Sequence, residues 1–226
     1  MSIIGINGRI NSGKDTVGRI IQELCLSNNG PVFQIKKYAG KVKQTASLLT
    51  GIPIEKFEDQ EFKKSYLGPE WGTVTNNPLN AIPVFEDVSF NHLMSVREFL
   101  QKLGTEAMRD GLHTNVWVNA LFADYTPTHY AVGAFDTKLT DGIPFYPNWI
   151  ITDMRFPNEM EAVVERKGVT IRVIRPDMYS LQAMVPAHAS ETALDDAKFD
   201  YEIINDGSIE DLVEKVKEIL IKEKLI

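Results

Sequence analysis

Hydrophobic positions along the chain follow two periods, and each period predicts a different kind of element. Short apolar runs, of which "MSIIGIN" (1–7) is the first, predict strands, whereas apolar residues spaced three and four positions apart predict helices. Strands are predicted at 1–7, 32–39, 149–153, 169–176 and 201–206. Helices are predicted at 15–26, 40–51, 95–110, 115–125, 158–168, 190–197 (with Ser190 as its cap) and 208–225.

Two stretches, 52–93 and 126–148, show no clear period, and a hairpin is predicted within the first, near 74–85. Elsewhere strands alternate with helices, which favours an α/β fold with three layers, a parallel sheet between helices on both faces. We expect one domain over 1–226 with a substrate-binding insertion at about 40–125. Ligands of such sheets bind at the carboxyl ends of the strands.

A glycine-rich loop, "GRINSGKDT" (8–16), lies between the first strand and the first helix. It fits the phosphate-binding pattern G-x-x-x-x-G-K, in which backbone N–H groups and a helix N-terminus bind phosphates. Lys14 is then expected to reach the β- and γ-phosphates of a nucleotide. The alternative is a chance glycine turn before a helix. Asp15 stands where the pattern has Ser or Thr, the usual magnesium ligand.

Two carboxylates are candidate magnesium ligands. We hypothesise that Asp15 holds magnesium directly or through its waters, and that the Thr16 hydroxyl lies on the α-phosphate side. Asp153 closes an apolar strand, where phosphate-loop enzymes carry an acidic residue that helps hold the ion. The alternative for Asp153 is a cap on the following helix. Magnesium needs only one or two protein carboxylates, so this pair is sufficient.

Arginines form the third group of candidates, because a guanidinium binds phosphate through two parallel hydrogen bonds. Arg155 closely follows Asp153, at the rim where phosphates are expected to bind, and Arg172 and Arg175 flank the strand predicted at 169–176. Arg97 shares a helical stripe with Gln101, and Gly104 leaves space beside them for a ligand. For any single arginine the alternative is a surface ion pair.

Composition narrows the functional classes. The net charge of −7 argues against a nucleic-acid-binding protein or one that coats an anionic membrane. The single cysteine, Cys25, excludes an intrachain disulfide, and no apolar run is long enough to cross a bilayer. The four histidines show no metal-ligand spacing. We therefore expect a soluble cytoplasmic protein.

Taken together, several motifs resemble one family. "GRINSGKDT", "REFLQKLGTEAMRD", "NVWVNAL", "ITDMRFPNE", "HASE" and "YEIINDGS" are similar, in this order, to motifs of the deoxynucleoside monophosphate kinases of tailed bacteriophages. "GKDT" is also typical of phosphomevalonate kinase, and "IINDGS" resembles dephospho-coenzyme A kinase. The resemblance implies a P-loop, nucleoside monophosphate kinase-like fold. It also implies transfer of the γ-phosphate of ATP to a deoxynucleoside 5′-monophosphate for DNA precursor synthesis, with magnesium.

The resemblance also implies roles for individual residues. Those expected to hold ATP are Gly8, Asn11, Ser12, Gly13, Lys14, Asp15 and Thr16 at the phosphates, with Asn205 to Gly207 beside the adenine. Those expected to hold the acceptor are Lys41, Arg97, Gln101, Gly104, Thr105, Trp117 and Asp153. Arg155 and Arg172 are expected to bridge the phosphates and act in catalysis with Lys14 and Asp15. A helical Trp such as Trp117 is otherwise a core residue.

The sequence is also compatible with two other functions. One is another small-molecule kinase, such as a dephospho-coenzyme A kinase; the other is a nucleotide-dependent switch or ATPase without a phosphate acceptor. The identity of the accepted bases is not predicted. A homodimer is possible through the stretch 71–93.

Overall fold

The structure is a computed structural model that describes residues 2–71, 73–74, 90–127, 145–176 and 192–226. The chain divides into two compact units, residues 1–38 with 117–226, and residues 39–116. Within the described ranges no helix has the length and apolar character needed to span a bilayer. The substrate-binding role expected for an insertion at about 40–125 stays a prediction.

The first unit is built on a five-stranded parallel sheet in the order β2-β5-β1-β6-β7. The strands are β1 (Ile3–Asn7), β2 (Phe33–Lys36), β5 (Asn148–Ile151), β6 (Val169–Ile174) and β7 (Tyr201–Ile204). In the central strands, Ile4 is aligned with Ile150 of β5 on one side and Val169 of β6 on the other. The run of apolar side chains in β1 reflects this central position, which is buried on both faces.

Helices cover both faces of this sheet. They are α1 (Lys14–Ser27), α6 (Pro157–Glu165) and α7 (Ile209–Lys222). Ile4 and Ile6 lie in one apolar cluster with Ile21 of α1 and Val216 of α7. The intervening Gly5 faces the opposite side, where an added Cβ would lie 3.1 Å from Val163 of α6. The predicted three-layer α/β fold is therefore confirmed.

The second unit is mostly helical. It contains most of α2 (Tyr38–Thr50), two short 3₁₀ helices (Ile54–Glu58 and Pro69–Trp71), α3 (Gln60–Lys64) and α4 (Val96–Gln101). Strands β3 (Thr73–Val74) and β4 (Phe90–His92) form an antiparallel pair. Helix α5 (Val116–Phe122) begins at the end of this unit. The hydrophobic core of the second unit consists of Ala46, Phe57, Val96, Phe99 and Leu103.

Several predicted boundaries differ from the structure. The strand predicted at 32–39 ends at Lys36, and Tyr38 already begins α2, because the Asp153 carboxylate accepts the Tyr38 N–H at 2.9 Å and caps the helix. The strand predicted at 149–153 ends at Ile151. The helix predicted at 95–110 is α-helical only to Gln101 and continues as a π-helix over Lys102–Asp110.

Three predictions fall wholly or partly outside the described residues. The hairpin near 74–85 does so almost entirely, although the β3–β4 pair that flanks 75–89 is described. The Ser190 cap of the helix predicted at 190–197 is also outside, and within 192–197 the described backbone forms mainly turns. Most of the proposed dimer contact at 71–93 is likewise not described.

Candidate active site

The loop between β1 and α1 is shaped by glycines. Gly13 is the N-cap residue of α1 and has a left-handed backbone, with φ 98° and ψ 7°. A Cβ on Gly13 would lie 2.5 Å from Asn205 Nδ2, so a larger residue would be both strained and obstructed. The loop closes on itself through a hydrogen bond from the Ser12 N–H to the Arg9 carbonyl at 3.1 Å. This geometry allows an anion to come close to the backbone N–H groups at the start of α1.

Ser12 lies at the centre of this loop and is 2% exposed. Its Oγ has no hydrogen-bond partner among the described residues. Gly8 makes room for this hydroxyl, since a Cβ there would overlap Ser12 Oγ and lie 2.8 Å from the Val173 carbonyl oxygen. A buried hydroxyl without a partner is unusual, and a phosphate oxygen would satisfy it. The loop residues thus fit a bound polyphosphate.

Lys14, the first residue of α1, is half-buried beside the loop. Its Nζ donates to the Arg9 carbonyl at 3.4 Å, so the ammonium lies over the loop. Asn11 is exposed with φ 63°, and Thr16 lies in the first turn of α1. The expected phosphate-loop residues are therefore brought together.

Asp15 is held by two neighbours at one oxygen. Thr152 Oγ1 donates to Asp15 Oδ1 at 2.8 Å, and Lys37 Nζ lies 2.7 Å from the same oxygen. Partial burial raises the pKa of the Asp15 carboxyl, but the hydrogen bonds from Lys37 and Thr152 and the charges of Lys37 and Lys14 outweigh it. The net pKa is below the usual aspartate value, so Asp15 is ionised at neutral pH.

Asp153 is 8% exposed, and its Oδ1 caps α2 at Tyr38. The structure therefore shows a helix cap, but on α2 and not on the following helix α6, whose N-cap residue is Phe156. No group of three or more His, Cys, Asp or Glu side chains suited to a metal ion occurs among the described residues. Asp15 fits the chemistry of a magnesium ion held mainly by waters and phosphates, because its ionised side chain is half-exposed at the phosphate loop. Asp153 fits less well, because its side chain is buried and already bonded.

Asp195 joins two arginines. Its Oδ2 lies 3.0 Å from Arg9 Nη2 in the phosphate loop, and its Oδ1 lies 3.1 Å from Arg172 Nη2 on β6. Arg172 Nη1 also donates to the Asp195 carbonyl at 2.8 Å, and its guanidinium lies over the Phe199 ring. Arg172 is thus fixed beside the loop. The Arg155 backbone N–H donates to Glu159 Oε2 at 2.6 Å, at the start of α6.

The residues after β7 contact the phosphate loop directly. Asn205 Nδ2 donates to the Ser12 carbonyl at 2.8 Å, and the Asn205 N–H donates to the Ile174 carbonyl at 2.7 Å. At Gly207 a Cβ would lie 2.5 Å from Asp211 Oδ2 in the first turn of α7. Proximity of Asn205 and Gly207 to an adenine stays a prediction.

In the second unit, four expected acceptor residues follow one another along α4 and its π-helical continuation. Arg97 and Gln101 are exposed on the same face, and Arg97 Nη2 donates to Gln60 Oε1 at 3.3 Å. A Cβ on Gly104 would lie 3.5 Å from Val42 of α2, so this glycine lies at a helix contact. Thr105 and Lys41 are half-buried. π-helical turns are frequent at functional sites.

Trp117 is 7% exposed, which agrees with the core alternative weighed for it. Stacking of its ring on the acceptor base stays a prediction. Sequence reasoning missed Lys37, Thr152 and Asp195, all of which contact expected site residues. Lys37 and Thr152 follow the carboxyl ends of β2 and β5, and this position was the available signal.

Comparison with known proteins identifies the family. A family model described as deoxynucleotide monophosphate kinase matches residues 61–216. The chain is 26% identical over 255 residues to the deoxynucleotide monophosphate kinase of Enterobacteria phage T4, covering 97% of this chain and 99% of that protein. It is 25% identical over 249 residues to the deoxynucleoside-5′-monophosphate kinase of Escherichia phage T5, covering 90% and 89%.

A solved structure of shikimate kinase from Aquifex aeolicus vf5 matches with 14% identity and a TM-score of 0.39, covering 99% of this chain and 98% of that one. The family match carries the identification, because it spans more than half of the chain and agrees with two relatives over nearly all of it. It does not favour the alternatives left open by the sequence, and it confirms the resemblance seen in the motifs. The chain belongs to the deoxynucleotide monophosphate kinase family and is an ATP-dependent nucleoside-phosphate kinase.

Proposed function

We propose that this chain transfers the γ-phosphate of ATP to a deoxynucleoside 5′-monophosphate and releases the diphosphate for DNA precursor synthesis. The observation that carries the proposal is the phosphate loop, with left-handed Gly13 and the buried, unpartnered Ser12 hydroxyl, in a chain of this family. Because the relatives belong to phages of enteric bacteria, the proposed location of the reaction is the cytoplasm of an infected host cell.

On the donor side, the loop from Gly8 to Thr16 is proposed to bind the ATP phosphates, with Lys14 on the β- and γ-phosphates. Asp15 is the proposed magnesium ligand, with Asp153 as a second, weaker candidate. A bound magnesium ion would neutralise charge on the phosphates during transfer. Lys37 adds a cation at Asp15, which reduces the repulsion between this carboxylate and a polyphosphate.

On the acceptor side, the resemblance supports Lys41, Arg97, Gln101, Gly104 and Thr105 as contacts of the monophosphate, with Asp153 and Trp117 as further candidates. The exposure of Arg97 supports its role, because its guanidinium is bonded only to a neutral amide among the contacts described. A neutral partner leaves the positive charge available to a phosphate.

The chemistry requires little beyond positioning and charge neutralisation. The acceptor phosphate is already a nucleophile near neutral pH, so a strong base is unnecessary. Arg155 and Arg172 are proposed to stabilise the phosphoryl group as it moves. The bonds from Arg172 to Asp195 support this role, because they fix its guanidinium before substrate binds.

The test is a panel in which ATP and magnesium are combined with each deoxy- and ribonucleoside monophosphate, and with dephospho-coenzyme A. Diphosphate formation is followed by chromatography. We expect turnover with at least one deoxynucleoside monophosphate and none with dephospho-coenzyme A. ATP hydrolysis that is indifferent to every added monophosphate would instead indicate a switch or ATPase, and the panel also identifies the accepted bases.

A further inference from the structure

The Asn205 carboxamide contacts the phosphate loop from the end of β7. Its Nδ2 donates to the Ser12 carbonyl at 2.8 Å, and a Cβ on Gly13 would come within 2.5 Å of the same nitrogen. The Asn205 backbone is itself fixed, because its N–H donates to the Ile174 carbonyl at the end of β6. One side chain, held by the sheet, thus contacts both residues of the Ser12–Gly13 peptide.

This contact determines where the Gly13 N–H points. A trans peptide is planar, and its C=O and N–H groups point in opposite directions. A hydrogen bond that holds the Ser12 carbonyl towards Asn205 therefore turns the Gly13 N–H away from Asn205. Among the described residues the Gly13 N–H has no hydrogen-bond acceptor. An N–H of this kind, at the start of α1, is a donor suited to a phosphate oxygen.

The buried Ser12 hydroxyl is a second, independent observation at the same peptide. It belongs to the residue whose carbonyl Asn205 holds, and it has no hydrogen-bond partner among the described residues. Rotation of the Ser12–Gly13 peptide would change the direction of the Gly13 N–H and disturb the residue that carries this hydroxyl. The backbone alone resists such rotation weakly, because Gly13 has no side chain.

We infer that Asn205 is a positioning residue that aims the Ser12–Gly13 peptide at the phosphates of the donor nucleotide. This inference rests on the proposed function, in which ATP is the phosphoryl donor. It assigns the Asn205 side chain to the phosphate loop and leaves Gly207 as the candidate neighbour of the adenine. Its consequence is that the contribution of Asn205 to binding is independent of the base, so any ligand with a polyphosphate benefits equally.

The experiment compares two ligands, ATP and inorganic tripolyphosphate, by calorimetric titration without magnesium. The variant Asn205→Ala removes the donor and keeps the backbone bond to Ile174; Asn205 does not have a positive φ, so alanine fits. The matched control is Asn148→Ala, which removes another carboxamide that donates to a carbonyl, that of Val32, at the start of β5. Because β5 and β1 are parallel, the start of β5 lies at the amino-terminal ends of the strands, whereas the phosphate loop follows the carboxyl end of β1.

We expect Asn205→Ala to weaken ATP and tripolyphosphate binding by the same factor, about tenfold. Asn148→Ala should leave both affinities unchanged. In turnover assays, KM for ATP should rise while KM for the monophosphate stays constant. If Asn205→Ala unfolds, Asn205→Ser replaces it, since the serine hydroxyl is too short to reach the Ser12 carbonyl.

Unchanged tripolyphosphate affinity in the folded variant would overturn the inference. A loss confined to ATP would overturn it as well and would place Asn205 at the adenine. An equal loss in Asn148→Ala would indicate general destabilisation and would also count against it. Failure of the proposed function is distinguishable, because it would show as absent turnover of every deoxynucleoside monophosphate by the unaltered protein, whereas tripolyphosphate binding needs no acceptor.

Discussion

Lys37 Nζ lies 2.7 Å from Asp15 Oδ1, so the carboxylate beside the phosphate loop already has a cation next to it. The two residues come from different elements, Asp15 from the first turn of α1 and Lys37 from the segment between β2 and α2. A polyphosphate bound at the loop would repel an isolated carboxylate. The pairing therefore allows two roles for Asp15: it could bind magnesium, or it could position Lys37. Substitutions at Asp15, Thr152 and Lys37 distinguish the two roles.

The first prediction concerns the magnesium role. Asp15→Asn keeps the shape of the side chain and removes its charge. If Asp15 binds magnesium, the magnesium concentration that gives half-maximal rate should rise about tenfold, which corresponds to a loss of about 1.4 kcal/mol of binding free energy. ATP affinity measured without metal should change little. The measurement is a magnesium titration of the initial rate at saturating ATP and monophosphate.

Two further variants separate the magnesium role from the Lys37 role. Thr152→Val removes the hydrogen bond to Asp15 and keeps its charge, so it should leave the magnesium titration close to that of the unaltered protein. Lys37→Met removes the paired cation. Asp15 serves only to hold Lys37 if Asp15→Asn and Lys37→Met lower the rate to the same extent and the double variant lowers it no further. In that case the magnesium titration should also be unchanged.

The second prediction concerns Lys14, whose ammonium lies over the loop and is expected at the β- and γ-phosphates. Lys14→Ala should lower kcat by about 100- to 1,000-fold, because a preorganised positive charge at the transferred group is lost. The melting temperature should change little, since the Lys14 side chain is half-buried and its bond to the Arg9 carbonyl is long, at 3.4 Å. Near-normal kcat in the folded variant would contradict the phosphate-loop assignment. Lys217→Ala is the control, because this side chain of α7 is 44% exposed.

The phosphate loop could be predicted because its parts are neighbours in the sequence. A strand, the residues from Gly8 to Lys14 and a helix follow one another within 27 residues, so local patterns define the arrangement. The parallel sheet could be predicted for a similar reason, since strands alternate with helices of clear period. The π-helix at Lys102–Asp110 could not, because Val96, Phe99 and Leu103 have the spacing of an α-helix, and no local pattern marks the change to i→i+5 hydrogen bonds.

Contacts across the fold were beyond sequence reasoning. Asn205 and Ser12 are separated by 193 positions, and Asp195 and Arg9 by 186. No local pattern encodes such pairs, which depend on the order of strands in the sheet. Asp153 shows the same limit: its strand-end position is common to a metal ligand and a helix cap, and only the bond to Tyr38 shows that it caps α2.

The third prediction concerns Tyr201, whose hydroxyl donates to Glu223 Oε1 at 2.5 Å. This hydrogen bond, with partial burial and the Glu223 charge, raises the pKa of Tyr201 to about 12. A group whose pKa is raised by folding contributes stability below its unfolded pKa, and the contribution is lost as pH rises through the folded value. Tyr201→Phe should therefore lower the free energy of unfolding by about 1 kcal/mol at pH 8.

The same difference should shrink between about pH 10, the unfolded tyrosine value, and pH 12. Urea unfolding of both proteins across this range measures it. Tyr66→Phe is the matched control, because Tyr66 is 66% exposed. A difference between Tyr201→Phe and the unaltered protein that is constant up to pH 12 would show that the hydroxyl is not coupled to Glu223.

The fourth prediction concerns Arg97 and the acceptor. Arg97 is exposed on α4 and donates to the neutral side chain of Gln60 at 3.3 Å, so its removal should not unfold the second unit. Arg97→Ala should raise KM for the monophosphate by about 10- to 100-fold, the usual effect of losing one charge-assisted bond to a phosphate. KM for ATP should change by less than about twofold, since Arg97 is assigned to the acceptor alone.

The control for Arg97 must remove a positive charge from the same helical segment without removing a proposed contact. Lys102→Ala does so, because Lys102 forms only a long ion pair of 3.7 Å with Glu106 among the contacts described. If loss of any nearby positive charge weakened binding of the monophosphate, both variants would raise KM for the monophosphate to the same extent. A larger increase of this KM in Arg97→Ala than in Lys102→Ala therefore indicates that Arg97 binds the monophosphate directly. If Arg97→Ala instead raised KM for ATP and KM for the monophosphate equally, Arg97 would not be a residue of the acceptor site.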